Sequence, residues 1–100
     1  MPCFAVTNVH GPAWDHGRGL REQEAWDEHA AFMDALVDDG FVLLGGPLGA
    51  DRALLIVDAA SEDEVRARLA RDPWTPMRML GLERVERWEV LLGESPTSSG

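Results

Sequence analysis

Two apolar runs, Phe41–Leu44 and Ala53–Val57, lie close together in the chain, and neither alternates with polar residues. Each therefore supplies apolar side chains to both faces of a sheet. The link between them, "GGPLGAD" over 45–51, is short and glycine-rich. This predicts an antiparallel hairpin with strands over 41–46 and 52–60. Helices can cover one face of such a hairpin. The other face needs a cover too, because exposed rows of Leu, Ile and Val form a large apolar patch. A second copy, stacked sheet to sheet about a two-fold axis, is the simplest cover. A homodimer is expected.

The flanking segments complete the pattern. "CFAVTNVH" (3–10) is a strand by its apolar and β-branched content, and "GPAWDHGRG" (11–19) a loop by its glycines and proline. A first helix is expected over Arg21–Asp39, ended by Gly40 in a left-handed conformation. A second starts at Ser61 with a capping box to Glu64 and ends before Pro73. Its pairs Glu62–Arg66 and Glu64–Arg68 have favourable i, i+4 spacing. "TPMRML" (75–80) can add one helical turn, and "LERVERWEVLL" (82–92) is the last strand. The order β-α-β-β-α-β is the ferredoxin-like arrangement of the α+β class: a four-stranded antiparallel sheet with two helices on one face. It occupies residues 1–92 as one domain, and 93–100 is a polar tail expected to be disordered.

Charge excludes some classes of function. The chain carries 18 acidic and 9 basic residues, a net charge of −9. Nucleic-acid binders need a basic footprint, and anionic membranes repel such a chain. The single cysteine, Cys3, permits no internal disulfide and fits a reducing compartment. No signal peptide and no membrane-length apolar run is visible, so a cytoplasmic protein is expected.

One residue breaks the first helix's pattern. Ala25, Trp26, Phe32, Met33, Leu36 and Val37 share one face, and His29 sits in the middle of it. A buried imidazole without partners costs on the order of 1–3 kcal/mol. His29 is thus either a core histidine bonded to the backbone or a group placed in a pocket for chemistry.

The stretch "EHAAFMDALVDDGFVLLGGPLG", followed by "RDPW" some 25 residues later, resembles the YCII-related (YciI-like) family. The matching features are His29, Gly40, a Gly46–Pro47 turn, Asp72–Pro73–Trp74 and a last strand with Trp88, spread over residues 3–92. The resemblance implies ferredoxin-like domains that pair as dimeric α/β barrels. It implies an acid/base centre of His29 and Asp72. It also implies small-molecule proton-transfer chemistry: relatives include a dehydrochlorinase of a chlorinated hydroxyquinol, and the wider group includes muconolactone isomerases. The loop 11–20 is longer than in the shortest relatives and carries extra Trp, His and Arg, so no role is carried over to it.

A carboxylate accepting from one ring nitrogen fixes a histidine's tautomer and leaves the other nitrogen to move a proton. Asp72 can equally cap the turn that Pro73 opens. Trp26, Trp74 and Pro47 are candidates to line a substrate pocket, with Arg21, beside Arg18, to attract an anionic group; packing and a solvated loop end are the plainer readings. His10, Asp15, His16 and Cys3 follow no familiar zinc spacing, and "GGPLG" lacks the Lys-Ser/Thr of a phosphate loop. No metal or organic cofactor is expected. Two functions remain open: a cofactor-free lyase or isomerase, or a dimeric module that binds a small ligand without turnover.

Overall fold

The computed structural model describes residues 2–93. Its strands are β1 (Cys3–His10), β2 (Val42–Leu48), β3 (Arg52–Asp58) and β4 (Leu80–Arg87), and its helices are α1 (Trp26–Asp38) and α2 (Glu62–Leu69). The strands form one sheet in the order β2-β3-β1-β4, with every neighbouring pair antiparallel. This is the α+β, ferredoxin-like architecture. Among the described residues no helix is long and apolar enough to cross a membrane.

Register defines the two faces. Phe4 pairs with Val57 and Val6 with both Leu55 and Val85, so these side chains share the helix-covered face. There they meet Leu36, Val65 and Leu69 in the core. Full burial of each such side chain stabilises by about 1.5–3 kcal/mol. Ala5, Thr7, Val9, Leu54 and Ile56 point the other way. Beside them Leu44 and Leu48 are 61% and 40% exposed. On β4 the same face carries the charged Arg84 and Glu86, opposite Thr7 and Ala5. The open face is mainly apolar over three strands, with Thr7 and Arg52 as polar exceptions, and charged on the fourth.

The helix ends show how local chemistry and tertiary context divide the work. After α1, Gly40 takes φ +81°, Gly40 N–H donates to the Val37 carbonyl and Phe41 N–H to that of Leu36. That is a Schellman stop, and Leu36 and Phe41 both join the core. Ser61 Oγ caps α2 by accepting from Glu64 N–H at 3.2 Å, while the Glu64 carboxylate accepts from Ala60 N–H at 2.7 Å. Glu62 pairs with Arg66 at 2.8 Å. Arg68 departs from the expected pairing: it reaches Asp39 beyond the end of α1 instead of Glu64 and lies 4.4 Å over the Phe41 ring.

Other boundaries also differ from the sequence reading. Helix α1 begins at Trp26, not Arg21, because Ala25 adopts φ 61° and Leu20–Glu22 forms a separate 3₁₀ turn. Strand β2 continues through Gly46 and Pro47, and the reversal falls at Gly49, with φ +68°. Pro47 is tolerated because β2 is an edge strand, where a missing N–H costs no inner ladder bond. At Gly45 the backbone runs close to Leu55: a Cβ there would lie 2.6 Å from the end of the Leu55 side chain, which would have to shift. β3 stops at Asp58, not 60. Residues 75–78 form hydrogen-bonded turns in place of a helical turn, and Leu80 already belongs to β4. β4 starts two residues early and stops at Arg87. The expected tail lies, from residue 94 on, outside the described residues.

Candidate functional site

Helix α1 brings His29 to within hydrogen-bond reach of Asp72, which stands 43 residues later, just past α2. His29 Nδ1 lies 2.8 Å from one carboxylate oxygen and 3.0 Å from the other. A carboxylate only accepts, so the bond places a proton on Nδ1, and in the neutral ring Nε2 then keeps its lone pair. Both residues are buried, at 9% and 7% exposure. Asp72 also accepts from Trp74 N–H at 2.9 Å, which folds the chain back over Pro73. The turn-forming and imidazole-orienting roles therefore coexist in one carboxylate.

Trp74 locks the imidazole from the side. Its rings stack on His29 with centroids 3.8 Å apart and planes 8° from parallel. It is 1% exposed, and its indole N–H donates to the Glu24 carbonyl at 2.7 Å. Trp26 tilts against both rings, 5.8 Å from His29 and 5.9 Å from Trp74. An imidazole pinned in this way has little orientational freedom left to lose.

These rings line a cavity of about 600 Å³. Met33, Val42, Leu55 and Leu80 supply apolar wall, and the β2 segment with Pro47 supplies the rim on the hairpin side. A volume of this size suits a small organic molecule. Of the arginines considered from the sequence, Arg18 lines the cavity. Arg21 sits exposed on the 3₁₀ turn and is not part of the lining.

The loop over residues 11–24 is a built wall that the sequence did not announce. Gln23, 4% exposed, is its hub. Its amide nitrogen donates to the carbonyls of Asp15 at 2.7 Å, Arg18 at 3.1 Å and Gly19 at 3.4 Å, and its oxygen accepts from Asp15 N–H at 3.1 Å. The loop's other end is pinned at Gly11, whose N–H donates to the Met79 carbonyl at 2.8 Å. A Cβ at Gly11 would fall 2.2 Å from the Arg78 carbonyl oxygen, so only glycine permits this approach. Held at both ends, the loop delivers Trp14, His16 and Arg18 to the cavity. Trp14 meets Trp74 edge-on at 5.5 Å and stacks on His10 at 3.7 Å. A glutamine among charged loop residues carries no local signature of such a role.

The remaining titratable groups behave differently. Burial, with Asp58 adding to it, pushes the Cys3 thiol above its ordinary range, which keeps it protonated and poor as a nucleophile. Burial lowers the His10 pKa, with Asp51 opposing and His16 reinforcing the shift. Among the described residues no three His, Cys, Asp or Glu gather as a metal site.

No curated protein matches the chain. Among solved structures it resembles 5-chloro-2-hydroxyhydroquinone dehydrochlorinase from Burkholderia phenoliruptrix, in complex with 2,5-dihydroxybenzoquinone. The TM-score is 0.59 at 24% identity, over 87% of this chain and 93% of that one. That likeness speaks for the fold. The model of the YCII-related domain matches residues 9–89, most of the sheet and both helices, and on that match the chain belongs to the YCII-related family.

Proposed function

We propose that this protein is a cofactor-independent enzyme of small molecules, in which His29, oriented by Asp72, moves a proton in an elimination or isomerisation. The observation that carries the reading is the buried His29–Asp72 pair, whose imidazole lines an apolar cavity while the carboxylate sits behind it. Asp72 holds the Nδ1 proton, so Nε2 is the group that accepts a proton from a substrate carbon made acidic by a neighbouring carbonyl. The electron pair released then expels a leaving group, in elimination, or forms a shifted double bond, in isomerisation. In the second case the imidazolium returns its proton at the new position. Both outcomes need proton transfers alone, so no metal or organic cofactor is required. The structural relative that acts as a dehydrochlorinase and holds a flat dihydroxyquinone supports the same class of reaction and a ring-shaped substrate. Trp26, Trp74 and Pro47 supply the flat apolar surface for it.

We infer that the working form is a homodimer, joined through the open sheet face where Leu44 and Leu48 are exposed beside Leu54 and Ile56. The single cysteine, Cys3, supports a reducing, cytoplasmic setting. The alternative, a binding module without turnover, draws on the low exposure of His29 and its stack on Trp74.

The test is His29→Asn. This variant keeps a polar side chain and removes the proton acceptor. Turnover of a chlorinated hydroxyquinol or an unsaturated lactone should fall by about 100-fold or more, the usual share of general acid–base catalysis. The melting curve should move little. Binding without turnover in the wild type would establish the module instead. Light scattering at micromolar concentration should show twice the chain mass, and a monomer alone would rule out the dimer.

A further inference from the structure

The cavity has a second imidazole that the proton transfer above does not use. His10 ends β1 and lines the same space. The rings run in series: His10 stacks on Trp14 at 3.7 Å and 10°, Trp14 meets Trp74 at 5.5 Å, and Trp74 stacks on His29 at 3.8 Å. The two histidines thus stand at opposite ends of one aromatic wall.

The two ends are chemically opposite. His29 Nδ1 is tied to a carboxylate. His10 Nδ1 is buried and has no hydrogen-bond partner among the described residues. A proton on that nitrogen would be a buried donor with nothing to accept it, which costs free energy. The proton belongs on Nε2, which is not sealed off. The ring is also neutral near pH 7, since burial lowers its affinity for a second proton more than Asp51 restores it, and His16 lowers it further. A neutral ring with N–H on the accessible nitrogen donates a hydrogen bond and attracts no free anion strongly. Trp14 holds the ring in place, and Gln23 and Gly11 hold the loop that carries Trp14.

We propose that His10 is a specificity-determining residue: its Nε2–H selects flat ligands that carry an acceptor oxygen, such as a ring ketone, at the end of the cavity remote from His29. The inference rests on the reading of this cavity as a small-molecule site. It adds to that reading the substrate class, an unsaturated ring compound with a carbonyl-type oxygen directed at His10.

The experiment uses two probes of nearly equal shape, acetophenone and its oxygen-free analogue ethylbenzene. Both are titrated into the wild type, His10→Phe and His10→Gln, with ¹⁵N signals of the imidazoles followed by NMR. In the wild type acetophenone should move the His10 Nε2 signal, and ethylbenzene should not. His10→Phe should weaken acetophenone by about 10-fold, the scale of one neutral hydrogen bond, and leave ethylbenzene within about 2-fold. His10→Gln, which keeps an N–H donor, should recover most of the loss. If acetophenone shifts His29 but binds His10→Phe as well as wild type, the role of His10 is refuted and the site stands. If neither probe perturbs His29 or His10, the small-molecule reading and this inference fall together.

Discussion

His29 and Gln23 are both buried polar residues beside the same cavity, and they are held by opposite means. His29 rides on a regular helix, and its partner Asp72 follows another. The geometry there is inherited from backbone hydrogen bonds and core packing. Gln23 sits in irregular chain and satisfies backbone groups of Asp15, Arg18 and Gly19 with its own side chain. The helical wall owes its shape to many small contributions, and loss of one side chain there changes chemistry more than architecture. The loop wall depends on one amide, so a single loss there changes architecture first. Sites placed on rigid elements are correspondingly more precise than sites on loops.

The sharpest break is expected at Asp72. In Asp72→Asn the side-chain oxygen can still accept from Trp74 N–H, so the turn should survive. The amide NH₂ then faces His29 and favours a bare Nδ1, which moves the ring proton to Nε2 and removes the base from the cavity. Turnover should fall by about 100-fold or more, as general-base catalysis is lost. The ¹⁵N shifts of the ring report the tautomer directly, and an unchanged tautomer with full activity would contradict the assignment.

Gln23→Ala tests the loop wall. Losing these part-buried hydrogen bonds should cost about 0.5–1.5 kcal/mol each at most, since water can reach the freed carbonyls. Amide exchange at Asp15 should quicken, and a substrate's KM should rise more than kcat falls. If exchange is unchanged, the loop does not hang on this residue.

A smaller effect of opposite sign is expected at Ala25, the joint between the two walls. Its φ of 61° is unfavourable for any residue with a Cβ. Ala25→Gly should stabilise by about 1 kcal/mol, read as a higher Tm.

The smallest effect concerns pH. Burial holds the His10 pKa below its ordinary value, so the unfolded chain binds the extra proton more readily. Stability from this source is present above the usual histidine range and declines as pH falls through it. His10→Gln should flatten the stability curve between about pH 7 and 5.5 relative to wild type, and parallel curves would show that His10 does not contribute.

How much was legible depended on whether the cause was local. Gly40, Ser61 with Glu64, and the stripe around His29 act within a few residues, and the structure agrees with each, except that Ala25 precedes the helix and Val37, at the far end of the stripe, is 53% exposed. Resemblance to known relatives pointed to Asp72, because no spacing rule links residues 43 positions apart. The errors share one cause. The helix was expected from Arg21 because apolar periodicity cannot register that Gln23 bonds backward across the loop and Ala25 turns left-handed. The strand was expected to end at Gly46 because Gly-Pro reads as a turn until β2 is known to be an edge.

The sequence by itself therefore determined the element order, the antiparallel hairpin, the caps and the placing of an imidazole on an apolar face, since period and local hydrogen-bond chemistry suffice for these. Only the tertiary structure decided which carboxylate meets that imidazole and that Arg18 rather than Arg21 reaches the cavity. It also decided that His10, Trp14, Trp74 and His29 stand in one series. Those outcomes are set by contacts between segments far apart in the chain, which exist only once the sheet has brought the segments together.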